Sequence, residues 1–291
     1  RRFWSNPPNL RHRTGSRESG RSASSPPPAQ WRPAPSCGWG LEDQIAHASV
    51  EGRFGHMTVT TPGLVCAHHH LYSTLARGMP APPAQPTDFL SILQQIWWRL
   101  DVALDLDIIH WSAKLGAVEA LMSGTTGIVD HHESPSSIDG SLDVIADACA
   151  EVGVRVSCSY GVTDRHGSEG SRRGRAENDR YLSSGGRGMV GVHAAFTCSD
   201  DTLHQAADLA KKHGTGVHIH VAEGPDDHEA GARLEGLTDE TWLLVHCVHL
   251  DRDLPGLIAH NPRSNMNNAV GYARPATRPN TVVLGSDGIG A

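Results

Sequence analysis

From residue 63 onward, short apolar strands alternate with helical segments, which predicts an α/β chain closed into a (β/α)8 TIM-type barrel. The number of repeats favours a closed barrel over an open sheet. The strand runs are near-continuously apolar, the pattern of strands buried on both faces. Nearly every notable polar residue falls at the C-terminal end of such a run, where barrels of this kind gather their reactive groups.

The segment before the repeats has another character. Residues 1–36 carry seven Arg against one acid, Glu18, and include Pro26-Pro27-Pro28. With no apolar period such a stretch cannot offset its ordering entropy, so residues 1–57 read as a disordered segment or the remnant of an accessory domain. It is Arg/Ser-rich and acid-poor like an organelle transit peptide, but lacks amphipathic spacing and begins without Met. It reads better as sequence from outside the gene proper.

Within residues 58–291 the elements follow in order. Leu64–Ala67 is a short strand. Residues 103–123 repeat apolar side chains at helical spacing (Leu104, Ile108, Leu115, Val118, Leu121, Met122) and stop at Gly124. Thr126–Asp130 is a strand, Ile138–Val152 a helix closed by Gly153, and Val154–Gly161 the next strand. Met189–Ala194, Gly216–Val221 and Leu243–Cys247 continue the strands, with a helix over Asp200–His213. Val282–Leu284 is the last strand.

Composition narrows the chemistry. The formal charge of −7 conceals a basic start and a mildly acidic body, which argues against a nucleic-acid partner. Nineteen His stand against three Lys (Lys114, Lys211, Lys212), a balance that favours metal chemistry over phosphate binding. The six cysteines (Cys37, Cys66, Cys149, Cys158, Cys198, Cys247) form no C-x-x-C pair and read as free thiols of a reducing compartment. No apolar run approaches the roughly 20 residues of a membrane span. A cytoplasmic protein with no membrane partner is expected.

His68-His69-His70 ends the first strand. Residues i and i+2 of a strand share a face, so His68 and His70 can meet one metal while His69 points elsewhere. His218-Ile219-His220 closes another strand, with Glu223 three residues on. Further ends read Asp130-His131-His132, Asp164, His193, His246/His249, His260-Asn261 and Asp287. Three His nitrogens and one Asp oxygen suit a divalent ion such as Zn²⁺ with an open position for water. Such an ion lowers the pKa of bound water towards about 7, and a rim carboxylate can then move protons.

The ordered set "PGLVCAHHH", "DHH", "HIHVAEG", "HCVHL", "HNPRSNMNNAVG" and "GSDG" resembles the amidohydrolase superfamily. Within it the aminohydrolase/chlorohydrolase branch is most similar, especially the SsnA-like aminohydrolases, whose "IWWRLD" and "GVTDRHG" stretches are also matched. The resemblance covers about residues 60–291. It implies a metal-dependent hydrolase of C–N bonds other than peptide bonds, acting on an aminated purine, pyrimidine or triazine-like heterocycle. It implies His68, His70, His220 and Asp287 as ligands of one divalent metal, Zn ahead of Fe. Glu223 would be the proton shuttle, His246 would orient water, and Asp287 would also accept the water proton. His193 and Asn265 would bind substrate, and Trp97 or Trp98 could stack on its ring. No Lys lies in Met189–Ala194, which favours a mononuclear site. His131 and His132 are read as supports, His69 and His218 as structural. The alternatives are a cyclic amidase, a chlorohydrolase, or an inactive metal-binding fragment; a homo-oligomer is compatible with each.

The chain also departs from that family. His249 to His260 leaves little room for a crossover, which needs roughly 10–12 residues. Pro275 and Pro279 oppose a helix between Asn268 and Thr281, and Arg172–Gly188 reads as a weak helix. The barrel is expected to be truncated, missing some outer helices and most of the accessory β-sandwich, and to expose apolar strand surface.

Overall fold

The computed structural model describes residues 45–52 and 55–289; the Arg-rich segment and Cys37 lie outside the described residues. Strands β1 (Ile45–Gly52) and β2 (Gly55–Pro62) pair antiparallel in an unbroken register from Ile45↔Pro62 to Gly52↔Gly55. A hairpin therefore occupies part of the region read as disordered or vestigial.

Eight parallel strands follow: β3 (Leu64–His69), β4 (Thr125–His132), β5 (Arg155–Tyr160), β6 (Val190–Ala194), β7 (Val217–Val221), β8 (Leu243–His246), β9 (Leu257–His260) and β10 (Val282–Leu284). They form a three-stranded sheet, β3-β4-β5, and a five-stranded sheet, β10-β9-β8-β7-β6. The bridges Cys158↔Gly188 and Val162↔Val192 join β5 to β6, and His69↔Asp287 joins the end of β10 to β3. The pairings thus close a ring, and all C-terminal strand ends lie on one rim. Leu243, Val245 and Ala259, with Val129, Met189 and Val283, fill the interior below that rim.

Between the strands lie α1 (Phe89–Ile92), α2 (Trp98–Ala103), α3 (Leu106–Met122), α4 (Ser141–Val152), α5 (Gly167–Ser183), α6 (Asp200–His213), α7 (Ala230–Leu234) and α8 (Pro262–Asn267). A π-helical turn over Leu93–Trp97 joins α1 to α2. Helix α6 has the predicted bounds because each local signal agrees. Ser199 caps its first turn, acids start it, Lys211, Lys212 and His213 end it, and Gly214 closes it at φ 62°. Its Leu203, Ala206, Ala207 and Ala210 pack on Val190, Val217 and Ile219.

Two helices differ from expectation. Of the predicted stripe, Leu104 before the helix is buried and Leu121 packs on the core, but in α3 Ile108, Leu115, Val118 and Met122 are exposed, while Ile109, Ser112, Ala113, Gly116 and Ala117 are buried. The small face wins because the turn Leu71–Ala76 runs against the helix. Ser112 Oγ donates to Leu71 O at 2.7 Å, and a Cβ on Gly116 would lie 2.7 Å from Leu71. Helix α5, expected to be weak, is a full 17 residues. Its inner face carries Glu177, Asn178 and Tyr181. Glu177 Oε1 accepts from Leu142 N at 3.2 Å, capping α4, whose own N-cap is the side-chain-less Gly140. Asn178 holds Tyr160 N and Tyr160 O. Tertiary polar contacts override the low propensity of an Arg/Gly-rich run.

The thin crossovers are as expected. Among the described residues no helix lies between β8 and β9, and only the six-residue α8 and a 3-10 turn at Pro275–Thr277 lie between β9 and β10. Leu284 on β10 is consequently 64% exposed, and Leu64 on the adjacent β3 is 62% exposed. No helix among the described residues is long and apolar enough to cross a membrane.

Replacing Glu177 with Ala leaves the first turn of α4 uncapped, so the urea midpoint is expected to fall by about 1–3 kcal/mol in unfolding free energy. The exposed control Glu169→Ala should cost under ~0.5 kcal/mol. Equal midpoints for the two variants would show that α5 does not anchor α4.

Candidate metal centre and substrate pocket

The rim of the barrel brings together the residues that the sequence singled out. His68 ends on β3 and His70 follows it; His220 lies on β7, His246 ends β8, and Asp287 follows β10. All five are buried. His70 Nδ1 donates to His131 O and His220 Nδ1 donates to His193 O, each at 2.7 Å. A carbonyl only accepts, so both imidazoles carry their proton on Nδ1 and present a bare Nε2 when neutral. Those two Nε2 atoms face each other at 3.2 Å.

Asp287 adds negative charge at the same point. Its Oδ1 is 3.0 Å from His68 Nε2 and 3.1 Å from His70 Nε2, while Ser264 Oγ donates to Oδ2 at 2.5 Å. Burial pushes the Asp287 carboxyl up, but its close contacts with the His68 and His70 rings hold it well below its ordinary value. Ligand atoms of His68, His220, His246 and Asp287 all lie within 4.8 Å of one another, and so do those of His70, His131 and His220. Lone pairs and a carboxylate packed this closely in a dry site repel unless a cation sits among them. The donor set therefore fits a divalent metal, and the imidazole nitrogens favour a transition metal over Ca²⁺ or Mg²⁺.

The backbone at this rim is strained. Ala222 (φ 47°), His246 (φ 69°), Cys247 (φ 52°) and Asp287 (φ 62°) occupy the left-handed region without being glycine. Such positions cost of order 1–3 kcal/mol each and persist where the surroundings impose them. Here they turn the chain at the strand ends that carry Glu223, His246 and Asp287.

Beside the cluster is an open pocket lined by His70, Trp97, Trp98, His193, His220, Glu223 and Asp287. Burial, and then the Asp287 charge, push the Glu223 carboxyl well above its ordinary value. His246 Nδ1 donates to Asn265 Oδ1 at 2.7 Å, and its Nε2 lies 3.3 Å from Glu223 Oε2. Asn265, expected on the pocket wall, is instead buried behind His246; Asn268 lines the pocket in its place. Trp97 packs against Gly288, where any Cβ would sit 2.3 Å from its ring. Trp98 has one face covered by the Arg165 guanidinium, 4.5 Å from the ring centroid.

Sequence reasoning missed part of the wall. Asp101 and Glu133 are buried pocket residues that share Arg165, and burial pushes both carboxyls up against its pull. Glu133 directly follows Asp130-His131-His132, and Asp101 ends the Trp97-Trp98-Arg99-Leu100 run, so both sat beside motifs already singled out. His69 bonds Ser286 Oγ outside the metal cluster, and His249 Nε2 donates to Val270 O. Asp164 caps α6 through Ser199 N and Thr202 Oγ1.

Residues 59–291 match the amidohydrolase family. The chain is 33% identical over 266 residues to a 5'-deoxyadenosine deaminase of Methanopyrus kandleri, covering 82% of this chain and 59% of that protein. It is 29% identical over 276 residues to a 5-methylthioadenosine/S-adenosylhomocysteine deaminase of Caldanaerobacter subterraneus subsp. tengcongensis, covering 85% and 60%. Among solved structures it is similar to an adenosine deaminase from Xanthomonas campestris with bound zinc, with a TM-score of 0.64 and 24% identity over 79% of this chain and 56% of that one. The chain thus spans about three fifths of the length of the relatives it matches.

The buried imidazoles set an acid limit on the metal-free fold. Burial holds His68, His131, His193 and His218 well below their ordinary value of 6.5, and His132 and His220 at about 3. Below pH 6.5 the unfolded chain binds protons that the folded chain refuses, so stability falls as pH falls towards the folded values. His70, raised by Asp287 against its own burial, runs the other way, as do the carboxyls of Asp101, Asp130, Glu133, Glu223 and Asp227, all pushed up by burial. The imidazoles therefore dominate only where the unfolded chain's histidines are mostly protonated, below about pH 6.5. In the presence of a chelator the urea midpoint should drop from about pH 6 to about pH 5, where the unfolded chain's histidines are mostly protonated and the folded chain's are not. A midpoint that stays flat over that range would contradict this burial pattern.

Proposed function

Because the chain belongs to the amidohydrolase family, we propose that it is a metal-dependent hydrolase that removes an amino group from an aminated heterocycle. The observation that carries this reading is the pair of bare imidazole nitrogens and the Asp287 carboxyl, with Glu223 buried on the same pocket wall 3.3 Å from His246. Similarity to deaminases of adenosine derivatives supports a purine nucleoside or a related ring as substrate.

One divalent ion, zinc ahead of iron, would be held by His68, His70, His220 and Asp287. When bound, such an ion lowers the pKa of water towards about 7 and polarises the bond under attack. Strand β6 offers no Lys that could bridge a second ion, which supports a single-metal site.

The chain's own groups supply the proton traffic. Asp287, whose carboxyl is held well below its ordinary value, accepts the proton of the attacking water. His246, fixed by Asn265 with its Nδ1–H committed, offers the bare Nε2 to that water and orients it. Oxygen bonds to the amino-bearing ring carbon as Glu223 gives its proton to the adjacent ring nitrogen. The carbon–nitrogen bond then breaks, a proton carried through Glu223 leaves with ammonia, and the oxygen remains as carbonyl. His193 lies on the pocket wall within reach of a polar ring substituent, and Trp97 offers an aromatic face to the ring.

The test is ammonia release by metal-loaded protein from adenosine, 5'-deoxyadenosine, guanine and an aminotriazine. Release from at least one is expected, with Glu223→Gln lowering kcat roughly 10²–10⁴-fold. A metal-bound protein that releases ammonia from none of them would overturn deamination, and chloride release or ring opening of a cyclic amide would identify the reaction in its place. Equal rates for wild type and Glu223→Gln would remove the role given to Glu223.

A further inference from the structure

His70 and His220 owe their bare Nε2 atoms to backbone carbonyls, but His68 has no such partner. Its Nδ1 instead lies 2.8 Å from Nε2 of His218, a fully buried residue two places before His220 on β7. His218 Nδ1 is 3.1 Å from Ser159 Oγ on β5, and the Ser159 hydroxyl donates to Asp130 O on β4 at 2.9 Å. A serine hydroxyl has one proton. With that proton on the Asp130 carbonyl, Ser159 Oγ can only accept, so His218 carries its proton on Nδ1. Its Nε2 is then bare and takes the Nδ1–H of His68. That leaves His68 Nε2 bare, 3.0 Å from Asp287 Oδ1.

We propose that His218 and Ser159 are positioning residues, forming a hydrogen-bonded chain from β4 through β5 and β7 that holds His68 in its ligand tautomer. The chain gives His68 what the carbonyls give its two neighbours. It also accounts for a histidine with both nitrogens bonded at a barrel-interior position, where branched apolar residues normally pack. Groups that hold a ligand's remote nitrogen typically change metal affinity 10–100-fold when removed.

This inference rests on the metal reading, and one titration separates the two. Co²⁺ is titrated against a chromophoric chelator into wild type, His218→Leu, His218→Gln and Ser159→Ala, with thermal unfolding of each metal-free protein alongside. Wild type should bind Co²⁺ and show its visible ligand-field bands. His218→Leu removes the acceptor and should weaken binding about 10–100-fold and shift those bands, while its metal-free unfolding temperature is not lowered in proportion. His218→Gln returns an oxygen acceptor near the Nε2 position and should recover most of the loss. Ser159→Ala should weaken binding in the same direction as His218→Leu, but by less. No Co²⁺ binding by wild type would sink the metal reading itself. Wild-type binding with unchanged affinity in His218→Leu, or equal loss in the Gln and Leu variants, would overturn the positioning role. Should His218→Leu fail to fold, Ser159→Ala decides alone, and unchanged affinity there would overturn it.

Discussion

Everything at the rim of this barrel follows from an electrostatic problem that the fold creates. Two imidazole nitrogens, each stripped of its proton by a carbonyl on its other side, face one another at 3.2 Å beside an ionised Asp287. Two neutral imidazoles in these tautomers do not relieve that contact. A cation does relieve it. The carbonyls belong to neighbouring strands, His131 on β4 for His70 and His193 on β6 for His220. The tautomers are therefore set by the parallel ring itself, and the site depends on strand register more than on any surface loop.

The same dependence explains why the site is well formed on a thin scaffold. The outer layer is uneven: α3 to α6 pack on β4 to β7, while β3 has no such helix against it and β8, β9 and β10 have short crossovers. The ligand-bearing positions sit at strand ends and are tied to one another across the rim. His68 O accepts from Ser286 N and Asp287 N, and Asp287 O accepts from His70 N. These backbone bonds fasten the last strand directly to the first. The cost of the thin layer falls on the outside, where Leu64 and Leu284 face solvent, together with an apolar stripe on α3.

Much of this was legible in the residues because it is local. His-x-His at a strand end places two imidazoles on one face by the two-residue period, and His68, His70, His220, Glu223, His246 and Asp287 do converge. Helix α6 was predictable to the residue because cap, charge and apolar spacing agree within it. The failures share a cause in contacts between segments far apart in the chain. Glu177 caps a helix 35 residues away, which no reading of an Arg/Gly-rich run reveals. Asn265 sits behind His246 because a turn 19 residues on folds under the rim. Asp101 and Glu133 became pocket residues through Arg165, which joins three separate segments. The stripe on α3 misled because the wider, greasier face of a helix is not always the buried one when small residues allow closer packing.

The central claim is that the buried histidine and Asp287 cluster exists to hold one divalent metal. Its most direct test is the metal content of the purified chain after zinc loading and exhaustive dialysis, with X-ray absorption at the zinc edge. The account predicts about one equivalent of zinc with mainly imidazole nitrogen neighbours at about 2.0–2.1 Å. Retention of much less than one equivalent, or a first shell dominated by sulfur, would contradict it.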